Sequence, residues 1–177
     1  RTWINGGGTL ITLKGASEWA IRTGLSKEKT VPADTLATNR TDYDNIQDRE
    51  GAKQLGGSIF EADLDITHPV GFGFTDRKIS VYKNNKTFLA TSKYPIGTVA
   101  KYSAKPLIGG YLHPTNEPKI ANSGAILCSY EGAGRVILFA DDPNFRAIWY
   151  GTNKLFLNAL FFGPLITNPT GGSNAEE

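Results

Sequence analysis

The chain has 177 residues, 40% of them hydrophobic and 20% charged, which is enough for one folded domain with a core. Its 19 basic and 17 acidic residues are scattered, and a net charge of +2 argues against the basic stripe that nucleic acid or anionic lipid needs. The most apolar segment, residues 155–162, is too short to span a membrane and predicts a buried helix instead. The sequence has a single cysteine, Cys128, which excludes an intrachain disulfide.

The chain opens with a strand and a helix. A glycine turn precedes a predicted strand at residues 9–13, and Lys14, Gly15 and Ala16 form a tight bend. Ser17 is expected to be the N-cap of the helix that follows, and Gly24 to end that helix. In several α/β enzyme families the catalytic nucleophile sits on such a strand–bend–helix, which makes Lys14 and Gly15 candidate positions for chemistry.

The middle of the chain predicts an irregular segment followed by strands. Residues 26–57 are polar and read as an excursion over the surface, with a short helix inside residues 43–55. Apolar and acidic residues then alternate from Ile59 to Ile66, which predicts a strand with one solvent-facing side. Four further strands are expected in this part of the chain, the first two forming a hairpin: residues 79–82, 87–90, 97–102 and 107–112.

The last third predicts two adjacent antiparallel strands, residues 125–130 and 135–140, joined by a short glycine-containing loop. The sequence RVILF of the second strand does not alternate, which is typical of a strand covered on both faces. A helix is expected at residues 151–162, ended by Gly163 and Pro164. The chain is therefore predicted to form one α/β domain over residues 1–166, with a mixed sheet flanked by helices, followed by a flexible tail at residues 167–177.

Few residue patterns indicate catalysis. His68 and His113 are each followed by proline and lack the spacing of a zinc site, so they are interpreted as ordinary loop histidines and no metal ligand is assigned. Cys128 lies in the middle of a strand and is expected to be a buried, unreactive thiol. Ser17 is not part of a G-x-S-x-G motif, and no phosphate-binding glycine motif follows a strand.

One polar and aromatic cluster follows the predicted strand at residues 135–140, where open α/β sheets usually bind ligands. Its strongest candidates for binding a carboxylate or a sugar are Asp142, Arg146, Trp149 and Tyr150, accompanied by Asp141, Asn144 and Asn153. The structural alternative is that Asp142 and Pro143 make a turn, Arg146 pairs with an acid, and Trp149 and Tyr150 cap the core.

The glycine turn, strand and bend of residues 6–16, with the RVILF strand and its Asp-Pro loop, resemble the class I glutamine amidotransferase-like fold, a flavodoxin-like architecture. In that family a cysteine occupies the bend, which falls here at about Lys14 and Gly15. The family's His-Pro-Glu run falls at Asp142, Pro143 and Asn144. The resemblance therefore implies a catalytic bend without its nucleophile, and a domain whose opening strands precede Gly6.

Three segments, residues 58–74, 110–117 and 132–163, resemble the C-terminal region of secreted bacterial zinc carboxypeptidases of the carboxypeptidase A type. This resemblance implies that zinc and its ligands belong to an upstream peptidase domain of the same polypeptide, the expected partner, and that this domain needs no cofactor. It also implies an extracellular or periplasmic location.

Three hypotheses follow in order of preference. The first is a non-catalytic accessory domain of a zinc carboxypeptidase. The second is a carbohydrate- or peptide-binding module that uses Arg146, Trp149 and Tyr150. The third is a hydrolase that uses Ser17 or Cys128 with His113.

Overall fold

A computed structural model describes residues 1–32, 42–52 and 54–167. The helices are α1 (Thr2–Asn5), α2 (Gly15–Arg22), α3 (Ile46–Ala52), α4 (Glu117–Ile120) and α5 (Tyr150–Phe162). The strands are β1 (Thr9–Leu13), β2 (Ser58–Leu64), β3 (Lys78–Lys83), β4 (Thr98–Gly109), β5 (Gly124–Glu131) and β6 (Gly134–Phe139). Short 3₁₀ turns lie at Tyr43–Asn45, Pro69–Gly71, Pro114–Asn116, Phe145–Ala147 and Gly163–Leu165.

The six described strands form one mixed sheet in the order β1-β6-β5-β4-β2-β3. β1 runs parallel to β6, with Leu13 opposite Phe139, and the other neighbouring strands are antiparallel. The prediction of an α/β domain with a mixed sheet is therefore confirmed. Because β1 and β6 are parallel, their carboxyl ends lie side by side at the same end of the sheet.

The core lies on both faces of the sheet, because side chains of β6 alternate between two apolar clusters. Ile137 and Phe139 pack with Leu155 and Ala159 of α5 on one face. Val136 and Leu138 pack on the other face with residues of α1 and α2. Every residue of β6 is buried, as the RVILF pattern predicted.

Several elements lie where the sequence placed them. β1 has the predicted bounds, β5 and β6 are antiparallel neighbours, and β2 alternates between buried and half-buried residues. Within residues 26–57 the described part contains α3 and an isolated bridge between Thr30 and Leu89. Most of the predicted tail lies outside the described residues.

The predicted hairpin between residues 79–82 and 87–90 is wrong. β3 pairs with β2, and Leu89 instead forms bridges with Thr30 and Gly124. The reason is a side-chain turn, since the Thr87 N–H donates to Asn85 Oδ1 at 2.8 Å and the Asn85 amide donates to Asp141. These bonds direct the chain toward β6 rather than back along β3.

The two strands predicted at residues 97–102 and 107–112 are a single strand, β4. The break predicted between residues 102 and 107 is a bulge within this strand, because Phe60 lies opposite Leu107 whereas Ala62 lies opposite Tyr102. Pro106, which has no N–H to donate to a ladder, falls within this bulge.

Two helix predictions also need correction. α2 begins at Gly15 with Lys14 as its N-cap, so Ser17 lies inside the helix and is buried there. α5 was predicted to be buried on nearly all sides, but only one side is covered, and Leu160 and Phe161 are 53% and 69% exposed. Its buried side includes Asn158, whose amide donates to the carbonyls of Val70 and Phe72.

Candidate functional site

The bend after β1 has the backbone geometry of a sharp strand-to-helix elbow. Lys14 joins β1 to α2 with φ 51° and ψ −129°, a region that side chains other than glycine rarely adopt. The Lys14 N–H donates to Phe139 O at 2.9 Å, which ties the elbow to the end of β6. Lys14 therefore lies at the carboxyl ends of β1 and β6, where the resemblance placed a catalytic cysteine.

Beside this elbow lies a buried polar network centred on Asp141, the second residue after β6. One carboxylate oxygen accepts hydrogen bonds from Lys83 Nζ at 3.0 Å and from Asn85 Nδ2 at 2.8 Å. The other oxygen accepts from the Tyr102 hydroxyl. Lys83 Nζ also donates to Thr87 O at 2.7 Å, so β3, β4, β6 and the segment after β3 meet at one carboxylate.

Burial dominates the electrostatics of this network. The Lys83 side chain is fully buried and that of Asp141 is 6% exposed. Burial lowers the pKa of Lys83, and the adjacent Asp141 carboxylate opposes that shift. Burial raises the pKa of Tyr102 well above its ordinary value, and the Asp141 charge adds to the effect, so Tyr102 is a neutral donor at physiological pH.

The four predicted site residues separate into two groups. Asp142 accepts the Asn144 N–H at 3.0 Å and shapes a turn, which matches its structural alternative. Arg146 is exposed and places its guanidinium 5.3 Å from the Phe145 ring centre. Arg146 and Ala147 both have positive φ, 51° and 54°, so the loop is held in a sparsely populated conformation.

Trp149 and Tyr150 belong to a surface groove. The Trp149 indole donates to Ser80 O at 3.3 Å and packs beside Tyr82, whereas Tyr150 is 77% exposed. The groove has a volume of about 600 Å³. It is lined by Gly73, Phe74, Thr75, Asp76, Lys78, Ile79, Ser80, Trp149, Tyr150, Gly151 and Lys154, so Asp142 and Arg146 are not part of its wall.

The groove contains residues that the sequence reasoning missed. Lys154 Nζ donates to Gly73 O at 2.8 Å and lies 4.8 Å from the Phe74 ring centre, and Lys78 pairs with Glu61 across β2 and β3. These residues come from β3, the turn before it and α5. Glycine and phenylalanine alternate at residues 71–74, but this pattern indicates a break after a strand and not a binding wall.

The other candidate groups have structural roles. His68 and His113 each accept, through Nδ1, the backbone N–H two residues later and so cap a 3₁₀ turn. Cys128 is buried, and burial raises its pKa to about 12, so its thiol stays protonated. The Ser17 hydroxyl donates to Phe139 O at 2.8 Å inside the fold.

In residues 1–32, 42–52 and 54–167, no three or more His, Cys, Asp and Glu side chains group in a way that would hold a metal ion. Within the same residues, no helix has the length and apolarity needed to cross a membrane. No family model, curated protein or solved structure matches the chain.

Proposed function

We propose that this chain is a non-catalytic accessory domain related to the class I glutamine amidotransferase-like fold. The observation that carries the proposal is the elbow, where a strained residue between a strand and a helix lies next to a parallel strand. In the resembled family a cysteine nucleophile occupies this bend, which falls here at about Lys14 and Gly15, and the proposal equates Lys14 with it. Backbone strain of this kind persists only where surrounding structure enforces it.

The residues around the elbow support a role without covalent catalysis. A lysine at this residue supplies no thiolate, so the cysteine chemistry of the resembled family has no nucleophile there. In the resemblance the family histidine falls at Asp142, and the Asp142 carboxylate accepts the Asn144 N–H and so makes a turn. Ser17 and Cys128 are buried, and the hydroxyl of Ser17 is already bonded to the backbone.

The parent protein of such a domain is proposed to be a secreted or periplasmic zinc carboxypeptidase, with its metal in an upstream peptidase domain. What supports this assignment is the likeness of residues 58–74, 110–117 and 132–163 to the C-terminal regions of those enzymes. The accessory domain then contributes packing or substrate presentation rather than cleavage.

A zinc-binding and cleavage assay tests this proposal. The purified chain is expected to bind no stoichiometric zinc in a calorimetric titration and to release no C-terminal residue from blocked dipeptides. A known zinc carboxypeptidase in the same buffer serves as the positive control. One zinc per chain together with cleavage would make this domain the peptidase and overturn the proposal.

The groove supports a second candidate function, the binding of a peptide segment. Trp149, Tyr150 and Phe74 offer aromatic surface, and the ammonium group of Lys154 is suited to a carboxylate. Lys78 on the same wall is paired with Glu61, and Asp76 adds a negative charge to the lining. The lining also includes backbone of β3, an edge strand. A domain that accompanies a carboxypeptidase would gain from holding a peptide with a free C-terminus.

Substitution of the groove aromatics checks this candidate. We expect Trp149→Ala or Tyr150→Ala to weaken the binding of peptides with a free carboxylate at least about tenfold, since aromatic anchors dominate such sites. Tyr111→Ala, at another exposed tyrosine, should leave binding unchanged. The measurement is fluorescence anisotropy with labelled peptides, amidated peptides and oligosaccharides. If the parent chain and all three variants bind these ligands equally, the groove is excluded as the binding site.

A further inference from the structure

The two edges of the sheet differ in how their backbone groups are protected. β1 bonds to β6 through alternate residues, because Arg135 N donates to Gly8 O and Lys14 N donates to Phe139 O. The backbone N–H and C=O groups of Thr9, Ile11 and Leu13 therefore point away from β6, where the described sheet has no further strand. At the opposite edge, the outward carbonyl of Ser80 is covered by the Trp149 indole.

The side chains of β1 also differ from those of a protected edge strand. Natural edges carry charged residues, proline or bulges that block pairing, and β3 begins with Lys78, whose side chain is exposed. β1 reads TLITL, without a charge or a proline. Its apolar side chains pack on both faces, Leu10 with the α2 side and Ile11 and Leu13 with the α5 side. This is the pattern of an interior strand.

We propose that β1 is a dimerisation edge, on which β1 of a second copy of this chain adds in antiparallel orientation. A two-fold axis through Ile11 places Ile11 opposite its own copy and Thr9 opposite Leu13 of the partner. All three open residues then form hydrogen-bonded pairs, each exchanging two bonds. Lys14 faces Gly8 of the partner, so the antiparallel register keeps the two lysines apart, and the sheet continues across both copies.

Sedimentation velocity of the purified 177-residue chain tests the proposal. Between about 1 μM and about 200 μM, the mass is expected to rise from 19.2 kDa to twice that value. Ile11→Pro removes the open N–H without removing a bond to β6, and we expect it to weaken dimerisation by about 10- to 100-fold, since both central bonds are lost. Ser80→Pro removes the corresponding open N–H of β3 and should leave dimerisation unchanged.

Hydrogen exchange of the unmodified chain keeps the proposal testable if Ile11→Pro does not fold. The amides of Thr9, Ile11 and Leu13 should exchange at least about tenfold more slowly at high concentration, whereas those of Leu10 and Thr12 should be protected at every concentration. A chain that stays at 19.2 kDa throughout overturns the proposal. So does a dimer in which Ile11→Pro has no effect, or one whose open β1 amides exchange at a rate independent of concentration.

Discussion

Replacing Asp141 with alanine is expected to lower the free energy of unfolding by about 3–5 kcal/mol, because it leaves the buried ammonium of Lys83 without its counter-charge. Lys83 is fully buried, and its bond to Asp141 is 3.0 Å long. The same change removes the acceptors of Tyr102 and Asn85. Urea denaturation followed by circular dichroism measures the effect, which is a large part of the stability of an ordinary domain.

The matched control is Asp63→Ala, which removes the carboxylate of an exposed pair with Arg77. Because solvent screens that pair, its loss should not shift the urea midpoint measurably. If Asp141→Ala and Asp63→Ala lower the free energy of unfolding by the same amount, the network around Asp141 does not hold the strands together. A double variant, Lys83→Met with Asp141→Leu, should recover much of the lost stability, since it removes both buried charges.

The pH dependence of Asp141→Ala follows from the same residues. Burial already lowers the pKa of Lys83, and removal of the carboxylate that opposes this shift should lower it further. Between the lowered pKa of folded Lys83 and the ordinary pKa of lysine, the unfolded chain binds more protons than the folded chain. The free energy of unfolding of the variant should therefore rise with pH as the pH approaches the ordinary pKa of lysine, about 10.4, and over a wider pH range than that of the parent chain.

Local patterns were enough to predict the strands whose partners are adjacent in the chain or whose burial is uniform. β5 and β6 follow one another, and the unbroken apolar run of β6 reports that both faces are covered. The partner of β3 could not be read in this way. Two asparagines beside Lys83 suggested a tight turn, but a carboxylate 56 residues beyond Asn85 determines the direction of the chain there.

The candidate site could be predicted only where one segment supplies it. Trp149 and Tyr150 were singled out because they follow a central strand, and both line the groove. Lys78 and Lys154 were missed because their proximity depends on α5 packing across β3. Asp141 was noted among the polar residues after β6, but its role as the centre of a buried network depends on Lys83 and Tyr102, which lie on distant strands.

The second large effect is expected in the reactivity of a thiol introduced at Lys14, the residue that forms the elbow. Lys14→Cys places a thiol at the residue that the proposal equates with the family nucleophile. Lys14 is partly exposed, at the N-terminus of α2, which favours a thiolate. The buried thiol of Cys128 has a pKa of about 12. From the thiolate fractions alone, the new thiol should react with iodoacetamide at neutral pH at least about 10³-fold faster than Cys128.

The modification is measured by mass spectrometry of the two cysteine peptides, with Ala16→Cys on the exposed first turn of α2 as the matched control. A nucleophile elbow predicts that the thiol at position 14 also reacts faster than the one at position 16, because the strained turn presents its side chain above the sheet edge. Equal rates at positions 14 and 16 would reduce the elbow to an ordinary exposed turn. A thiol at position 14 as slow as Cys128 would contradict the relation to the amidotransferase-like fold, because a nucleophile that reagents cannot reach cannot have served catalysis in any relative.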